Sequence, residues 1–574
     1  MSNTIGNNQN IRINESIIAP IGQPGVDIAG DNVRLQVTEN GSISAPDEGN
    51  SGVLSSGNNL AIENLGSISG AVEGVGSDGN NFTLRNRRGA TISSDSRAVA
   101  LIGGDNITVV NEGNFIGTGD QRNGTLWFDG TVDNSNLLNA RGGSIDAGEG
   151  NSGDGVSVQV GAENDLVSEG INISNRGAIA GRGQAEFAPG EGRLTANGSS
   201  GVRYFNLLED QDVTVRGNFQ NTGTISSEVN VGFLGGFVVE DTVSFQGQIR
   251  NSGSISGPRN GLYIGNANHN LSIFNESSGL IESGSRVVNL DGDNVNFTNS
   301  GSVIGTGDQR NGTLYVDGTG DNININNGGT IDAGEGNSGS GVSVQVGTAG
   351  GLSDGSDDLE TFVDLVNNGL IQGRGSENVP AGVRLFVGDD LEASTFTGDI
   401  TNGSHGVIAS EQDAGISIEE GITFNGQITN QGTIRGGNGL AIDATGARGD
   451  LNIVNTGSLV GGVILGEGND TLINNSHNVD PLNIDGGSGN DVLTGGSGVN
   501  TYSFSANSGQ DTITDFQTSQ DILDLGAYFS DANSVLGATT QVGNDAFIDL
   551  GNDNSITLAN VDTSSFGSEN IILS

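Results

Sequence analysis

Apolar and polar positions alternate over short stretches all along the chain, as in LAIEN (60–64), ITVVN (107–111), LSIFN (271–275), VNFTN (295–299) and LNIVN (451–455). Each stretch predicts a short strand with one buried face. The strands end on Asn, and the following residues repeat one pattern: Asn, one or two residues, Gly, one residue, then a branched aliphatic. It reads NGSI at 40–43, NLGSI at 64–68, NRGAI at 175–179, NTGTI at 221–225, NSGSI at 251–255, NNGLI at 367–371, NQGTI at 430–434 and NTGSL at 455–459. Strand, Asn-Gly turn, strand is the repeated unit. A two-residue hairpin is the competing reading of Asn-Gly, but a hairpin gives no reason for the same Asn to return about every 22–30 residues. Stacked coils do. The pattern predicts an all-β chain whose larger part is a right-handed parallel β-helix, a solenoid in which aliphatic residues line up inside and Asn side chains form hydrogen-bonded ladders along the turns.

A longer duplication overlies the coils. Residues 116–130, IGTGDQRNGTLWFDG, return as IGTGDQRNGTLYVDG at 304–318, and IDAGEGNSGDGVSVQVG at 145–161 returns as IDAGEGNSGSGVSVQVG at 331–347. A block of several coils was copied whole. The expected organisation is a β-helix over 1–460, duplicated as about 60–258 and 259–460, then a change near 461 from Asn-Gly to Gly-Asp turns, with a second region over 461–510 and a third over 511–574.

Composition narrows the function. With 99 Gly, 7 Pro and 5% aromatics in 574 residues, large side chains do not organise the core. No run of about 20 apolar residues is present, so no membrane-spanning segment and no membrane insertion is expected. The formal charge is −48 and none of the 21 basic residues is Lys. Nucleic acid and anionic membranes are therefore disfavoured partners, and cations are favoured ones. The absence of Cys removes disulfides and thiolate sites. MSNTIGNNQNIRINESIIAP has no basic stretch followed by an apolar one, so export by a cleaved amino-terminal signal is not expected.

GGSGNDVLT at 486–494 fits the calcium-binding nonapeptide GGxGxDxUx throughout, GGSGVNTYS at 495–503 fits except for Asn500, and GEGNDTLI at 466–473 supplies all but the first Gly. These residues resemble the RTX family, the glycine-rich hemolysin-type repeats of proteins exported by type I secretion. The resemblance implies a parallel β-roll in which six residues turn and three form a strand, with calcium, a hard cation wanting six to eight oxygens, held by turn carbonyls and carboxylates. Carried over, the ligands are Asp470 and Asp491 with carbonyls around Gly466, Gly468, Gly486, Gly487, Gly489, Gly495, Gly496 and Gly498. Asn500 keeps an oxygen without the charge. Residues 501–529 and 539–562 look like the segment closing RTX rolls in serralysin-type proteases and alginate epimerases. This implies a β-rich cap leading to an uncleaved secretion signal, with Asp511, Asp515 and Asp521 as candidates for a further ion.

The helix before the roll resembles those of autotransporters and of polysaccharide-active enzymes. An enzyme of that kind needs a positioned acid and base, but Lys is absent and the three His, at 269, 405 and 477, stand apart in stretches that read as solvated turns. The best binding candidate is Asp120-Gln121-Arg122 beside Trp127, copied as Asp308-Gln309-Arg310 beside Tyr315, and a doubled centre favours binding or structure over catalysis. The expectation is a calcium-dependent, non-enzymatic protein of the cell surface or extracellular matrix, folding on calcium after export through a type I apparatus. It would self-associate when calcium neutralises acidic corners such as Asp146-Glu149 and Asp332-Glu335. A polysaccharide-binding or polysaccharide-modifying protein is the alternative.

Overall fold

The computed structural model describes residues 4–117, 124–130, 132–148, 153–161, 166–183, 200–206, 208, 211–228, 235–308, 312–318, 320–348, 359–377, 379–388, 391–476 and 481–574. It divides into two compact units, Met1–Val295 with Ser300–Ser302, and Asn296–Asn299 with Val303–Ser574. Each is built of stacked parallel coils, a parallel β-helix. No helix among the described residues is long and apolar enough to cross a membrane.

In the first unit the alternating strands pair with their counterparts one coil on, as Ala61–Asn64 with Thr83–Asn86 and that with Thr108–Asn111. After the Asn-Gly turn a second strand does the same, Ser67–Gly70 pairing with Thr91–Ser94 and that with Asn114–Gly117. In-register pairing puts like on like. Ile43, Ile68, Ile92, Phe115, Ile145, Ile179, Ile225, Ile255 and Ile281 stack in one column, none more than 1% exposed. Burying each such side chain stabilises by about 1.5–3 kcal/mol. Gly66 shows why the turn needs glycine: a Cβ there would lie 2.2 Å from the Gly41 carbonyl oxygen of the coil below.

The expected Asn ladder is present and buried. Asn64, Asn86, Asn111, Asn139, Asn175, Asn221, Asn251 and Asn275 each pass an amide hydrogen to the next Oδ1 at 2.8–2.9 Å. In the second unit Asn299, Asn327, Asn367, Asn402, Asn430 and Asn455 do the same at 2.7–2.9 Å, and the run ends on Asn474, whose Nδ2 donates to Gly495 O at 2.6 Å. The remaining amide hydrogen reaches a backbone carbonyl, as from Asn367 to Val407 O at 3.1 Å. The ladder meets the requirement that buried polar groups be satisfied.

A third strand completes each coil, such as Glu73–Ser77 and Arg97–Leu101, or Val342–Val346 and Val383–Val387. In some coils both of its faces are covered and the alternation is lost, as in Asn260–Ile264, which is buried at all five positions.

Two ion pairs are copied with the block. Arg182 grips Asp146 through Nε and Nη2 at 2.5 and 2.9 Å and reaches Glu228, and Arg374 grips Asp332 at the same distances and reaches Glu411. The expected cation-binding corners are thus already occupied at Asp146 and Asp332 by guanidinium groups, and Glu149 lies outside the described residues.

Candidate metal centre

The described residues of 466–514 in the second unit continue the stacked coils of the helix. Ser458–Ile464 pairs with Thr433–Asp443 on one side and Leu482–Asp485 on the other, and Asn455 donates to Asn474 at 2.7 Å across the change in composition. What changes is the turn. Thr471–Asn474, Val492–Thr494 and Gln510–Ile513 stack in one sheet, and Leu482–Asp485, Asn500–Ser503 and Ile522–Asp524 in the other. Leu472, Leu493 and Tyr502 fill the interior, all at 0% exposure. The full nonapeptide match and the near match that follows it therefore sit on opposite edges. Stacked neighbours are instead Asp470, Asp491 and Asp511 on one edge, 21 and 20 residues apart, and Asn500 with Asp521 on the other, 21 apart.

The Asp column occupies an inward position whose neighbours in register are apolar: Leu451 precedes it, its N–H donating to Asp470 Oδ1 at 2.7 Å, and Ile556 follows it. Between them stand three carboxyl groups, each 1% exposed. Asp470 N donates to Asp491 Oδ1 at 2.8 Å, Asp491 N to Asp511 Oδ1 at 3.1 Å, and Gly466 N to Asp470 Oδ2 at 3.2 Å. Asp491 Oδ2 and Asp511 Oδ2 have no hydrogen-bond partner. Ion pairs among the described residues use carboxylates from Glu63 to Glu419 and none reaches the column. The sequence carries a signal for this: after Arg448 it contains no Lys or Arg.

Electrostatics follow from the burial. Loss of water pushes the Asp470 carboxyl up to about 6, Asp511 to about 7 and Asp491 to about 8, Asp491 being raised further by the carboxylates of Asp511 and Asp470. Backbone N–H donors compensate the charged forms only in part, which is the condition a bound cation relieves.

Glycine shapes the turns around the column. Gly468 and Gly489 have φ of 134° and 137°, and a Cβ on Gly489 would lie 1.5 Å from Gly468 O. A Cβ on Gly487 would lie 2.1 Å from Gly466 O, and one on Gly486 would meet Asp491 Oδ2 at 2.6 Å. The donor set of carboxylate and carbonyl oxygens fits a hard divalent cation. Among the described residues no group of three or more His, Cys, Asp or Glu side chains is gathered as a ready cage.

The remaining expected ligands are arranged otherwise. Gly495 N and Gly496 N donate to the two oxygens of Asp515 at 2.9 and 2.8 Å, and Asn500 Nδ2 donates to Gly498 O at 3.1 Å. Asp521 Oδ1 accepts from Asn500 N at 2.9 Å and its Oδ2 from Gln517 N at 2.8 Å. Downstream, Asn554–Leu558 adds to Gln510–Ile513, then turns back through antiparallel pairing with Asp545–Gly551, and Ile571–Ile572 adds to Ile522–Asp524. The final coil's edges are thereby covered.

The aromatic candidates are not platforms. Trp127 is 7% exposed beneath the Arg97 guanidinium, which lies 4.1 Å from its ring, and Tyr315 is 1% exposed, donating to Gln345 Oε1 at 2.7 Å. Asp308 accepts from Ser338 N at 2.9 Å; residues 120–122 and 309–310 lie outside the described ones. His405 is exposed and His477 undescribed, but His269 corrects the expectation of a solvated turn: it is 2% exposed, accepts from Phe245 N at 3.0 Å and sits 2.9 Å from Gly265 O. No protein-family model matches the chain, and no curated protein matches it significantly.

Proposed function

We propose that the chain is a calcium-binding structural protein of the cell surface or extracellular matrix, in which calcium stabilises the carboxyl-terminal roll after export. The observation that carries this reading is the column of Asp470, Asp491 and Asp511: three buried carboxyl groups without an ion-pair partner, two of them with an unpartnered oxygen. Calcium would supply the missing positive charge between turns, held by these carboxylates and the carbonyls of the glycine turns. An ion that binds only the folded roll stabilises it by RT ln(1 + [L]/Kd), about 2.7 kcal/mol at a hundredfold excess over Kd. Low calcium inside a cell and high calcium outside would then set the place of folding, in keeping with export by a type I apparatus. The rest of the chain supports a structural role, since its repeated feature is a buried ladder and its aromatic candidates face inward.

The experiment is a urea titration of the full chain, followed by circular dichroism, in chelator and in millimolar calcium. The expected result is a transition of the second unit that moves to higher urea with calcium. Coincident curves would end the proposal.

A further inference from the structure

The two edges of the roll differ in the side chains that meet their turns. On the edge of the Asp column, glycine turns face carboxylates. On the opposite edge the turn at 495–500 closes on side-chain nitrogen. Gln517 Nε2 donates to Gly496 O at 2.9 Å, and Gln520 Nε2 donates to Ser497 O and to Gly498 O, both at 3.0 Å. Asn500 Nδ2 adds its bond to Gly498 O and a longer one, 3.4 Å, to Gly496 O. Every carbonyl from 496 to 498 thus receives an amide hydrogen, and the nearby carboxylates Asp515 and Asp521 are held by backbone N–H groups.

A calcium ion wants six to eight oxygens pointing at one place. Here the place is taken by N–H hydrogens carrying partial positive charge, three side chains doing what one ion does elsewhere. Asn500 Oδ1 is left without a partner, one neutral oxygen where the other edge leaves two carboxylate oxygens. We infer that this edge is a metal-free clasp, in which the amides of Asn500, Gln517 and Gln520 replace a cation, so that the roll takes calcium along one edge only. Gln517 and Gln520 decide this although they lie outside the nonapeptides. The calcium half of the inference rests on the proposed function of the Asp column; the clasp itself does not.

Equilibrium dialysis of the full chain against calcium gives the number of ions bound, and urea titration in saturating calcium gives stability. Gln517→Ala/Gln520→Ala should leave the ion count unchanged and lower the urea midpoint of the second unit. Gln520→Ala alone, at a half-buried position, is the milder form. Asn500→Asp/Gln517→Ala/Gln520→Ala should bind one ion more than the parent. A lower ion count in the double variant overturns the inference, because the amides would then support an ion, and so does a triple variant that gains none. If the parent binds no calcium, the reading of the Asp column fails instead, and the clasp stands or falls on whether the double variant lowers the urea midpoint.

Discussion

Asp491 and Asp511 stand one above the other on adjacent coils, the N–H of Asp491 donating to Asp511 Oδ1 at 3.1 Å, while the second oxygen of each carboxyl group meets no donor. Removing the charge from the middle of this column tests it most directly. Asp491→Asn should weaken calcium binding by at least about tenfold, since ligand charge tunes calcium affinity over decades. Asn500→Ala should leave it near the parent value. Calorimetric titration of the two variants checks this, and equal losses would contradict the assignment.

Acid should stabilise the calcium-free roll. The folded values of Asp470, Asp511 and Asp491, about 6, 7 and 8, lie above the roughly 3.9 of an unfolded Asp. Between these limits the native state holds more protons than the unfolded one, so stability is fully present below about pH 4 and is lost as pH rises through 6 to 8. In chelator, the urea midpoint of the second unit should therefore climb as pH falls from 8 toward 5. Millimolar calcium should flatten that slope, because the ion and the protons compete for the same oxygens.

His269 predicts the opposite sign for the first unit. Phe245 N–H donates to Nδ1, which leaves Nε2–H to donate to Gly265 O and fixes a neutral ring, and burial lowers its affinity for a proton. The unfolded chain binds that proton near pH 6.5, so stability is lost as pH falls below about 6.5. Proton NMR should show the His269 ring neutral at pH 6, and a ring that is protonated there would refute the buried tautomer.

The Asn ladder should respond to a single deletion. Asn367→Ala removes a donor from Asn402 Oδ1 and an acceptor from Asn327 Nδ2, leaving buried groups unpaired at a cost of about 1–3 kcal/mol. Ser67→Ala, on the solvent side of its strand, should cost less than about 0.5 kcal/mol. Urea unfolding of both variants makes the comparison.

The duplication has already carried out one substitution. In the first unit Asp154, 0% exposed, lies 3.7 Å from Arg203, which also binds Glu240 at 2.6 Å. In the copy the place of Asp154 is taken by Ser340, while Arg384 keeps Glu419 at 2.5 Å. Asp154→Ser should therefore be tolerated, and Glu240→Gln should cost more, because it removes the closest ion-pair partner of the buried Arg203 guanidinium. Similar losses in thermal unfolding would show that the two carboxylates are equivalent.

The helix was readable in the sequence because its signal is local: one strand alternates, Asn marks its end, and Gly marks the turn. The third strand is less legible, since covering both faces of a strand such as Asn260–Ile264 erases the alternation, whereas VSVQV at Val342–Val346 keeps it. The Asp column was half readable. Asp470 and Asp491 lie in nonapeptides, and Asp511, with Asp515 and Asp521, reads as a candidate for a further ion, but its stacking on Asp491 depends on coil length, which varies around 20 residues here. Gln517 and Gln520 act on a turn about 20 residues upstream, so no motif contains both halves of the contact. His269 was misread because NANHN is a turn by composition, whereas its strand, Asn268–Asn275, folds it inside.

Each rung of the Asn ladder needs only the rung above and the rung below. A segment of whole coils can therefore be spliced in wherever its first and last Asn meet their neighbours, and nothing else along the chain has to be renegotiated. The retention of IDAGEGNSG in both copies is what such an event leaves behind. For a molecule of this kind length can change by whole blocks of coils, with the folding rule already written into every insert.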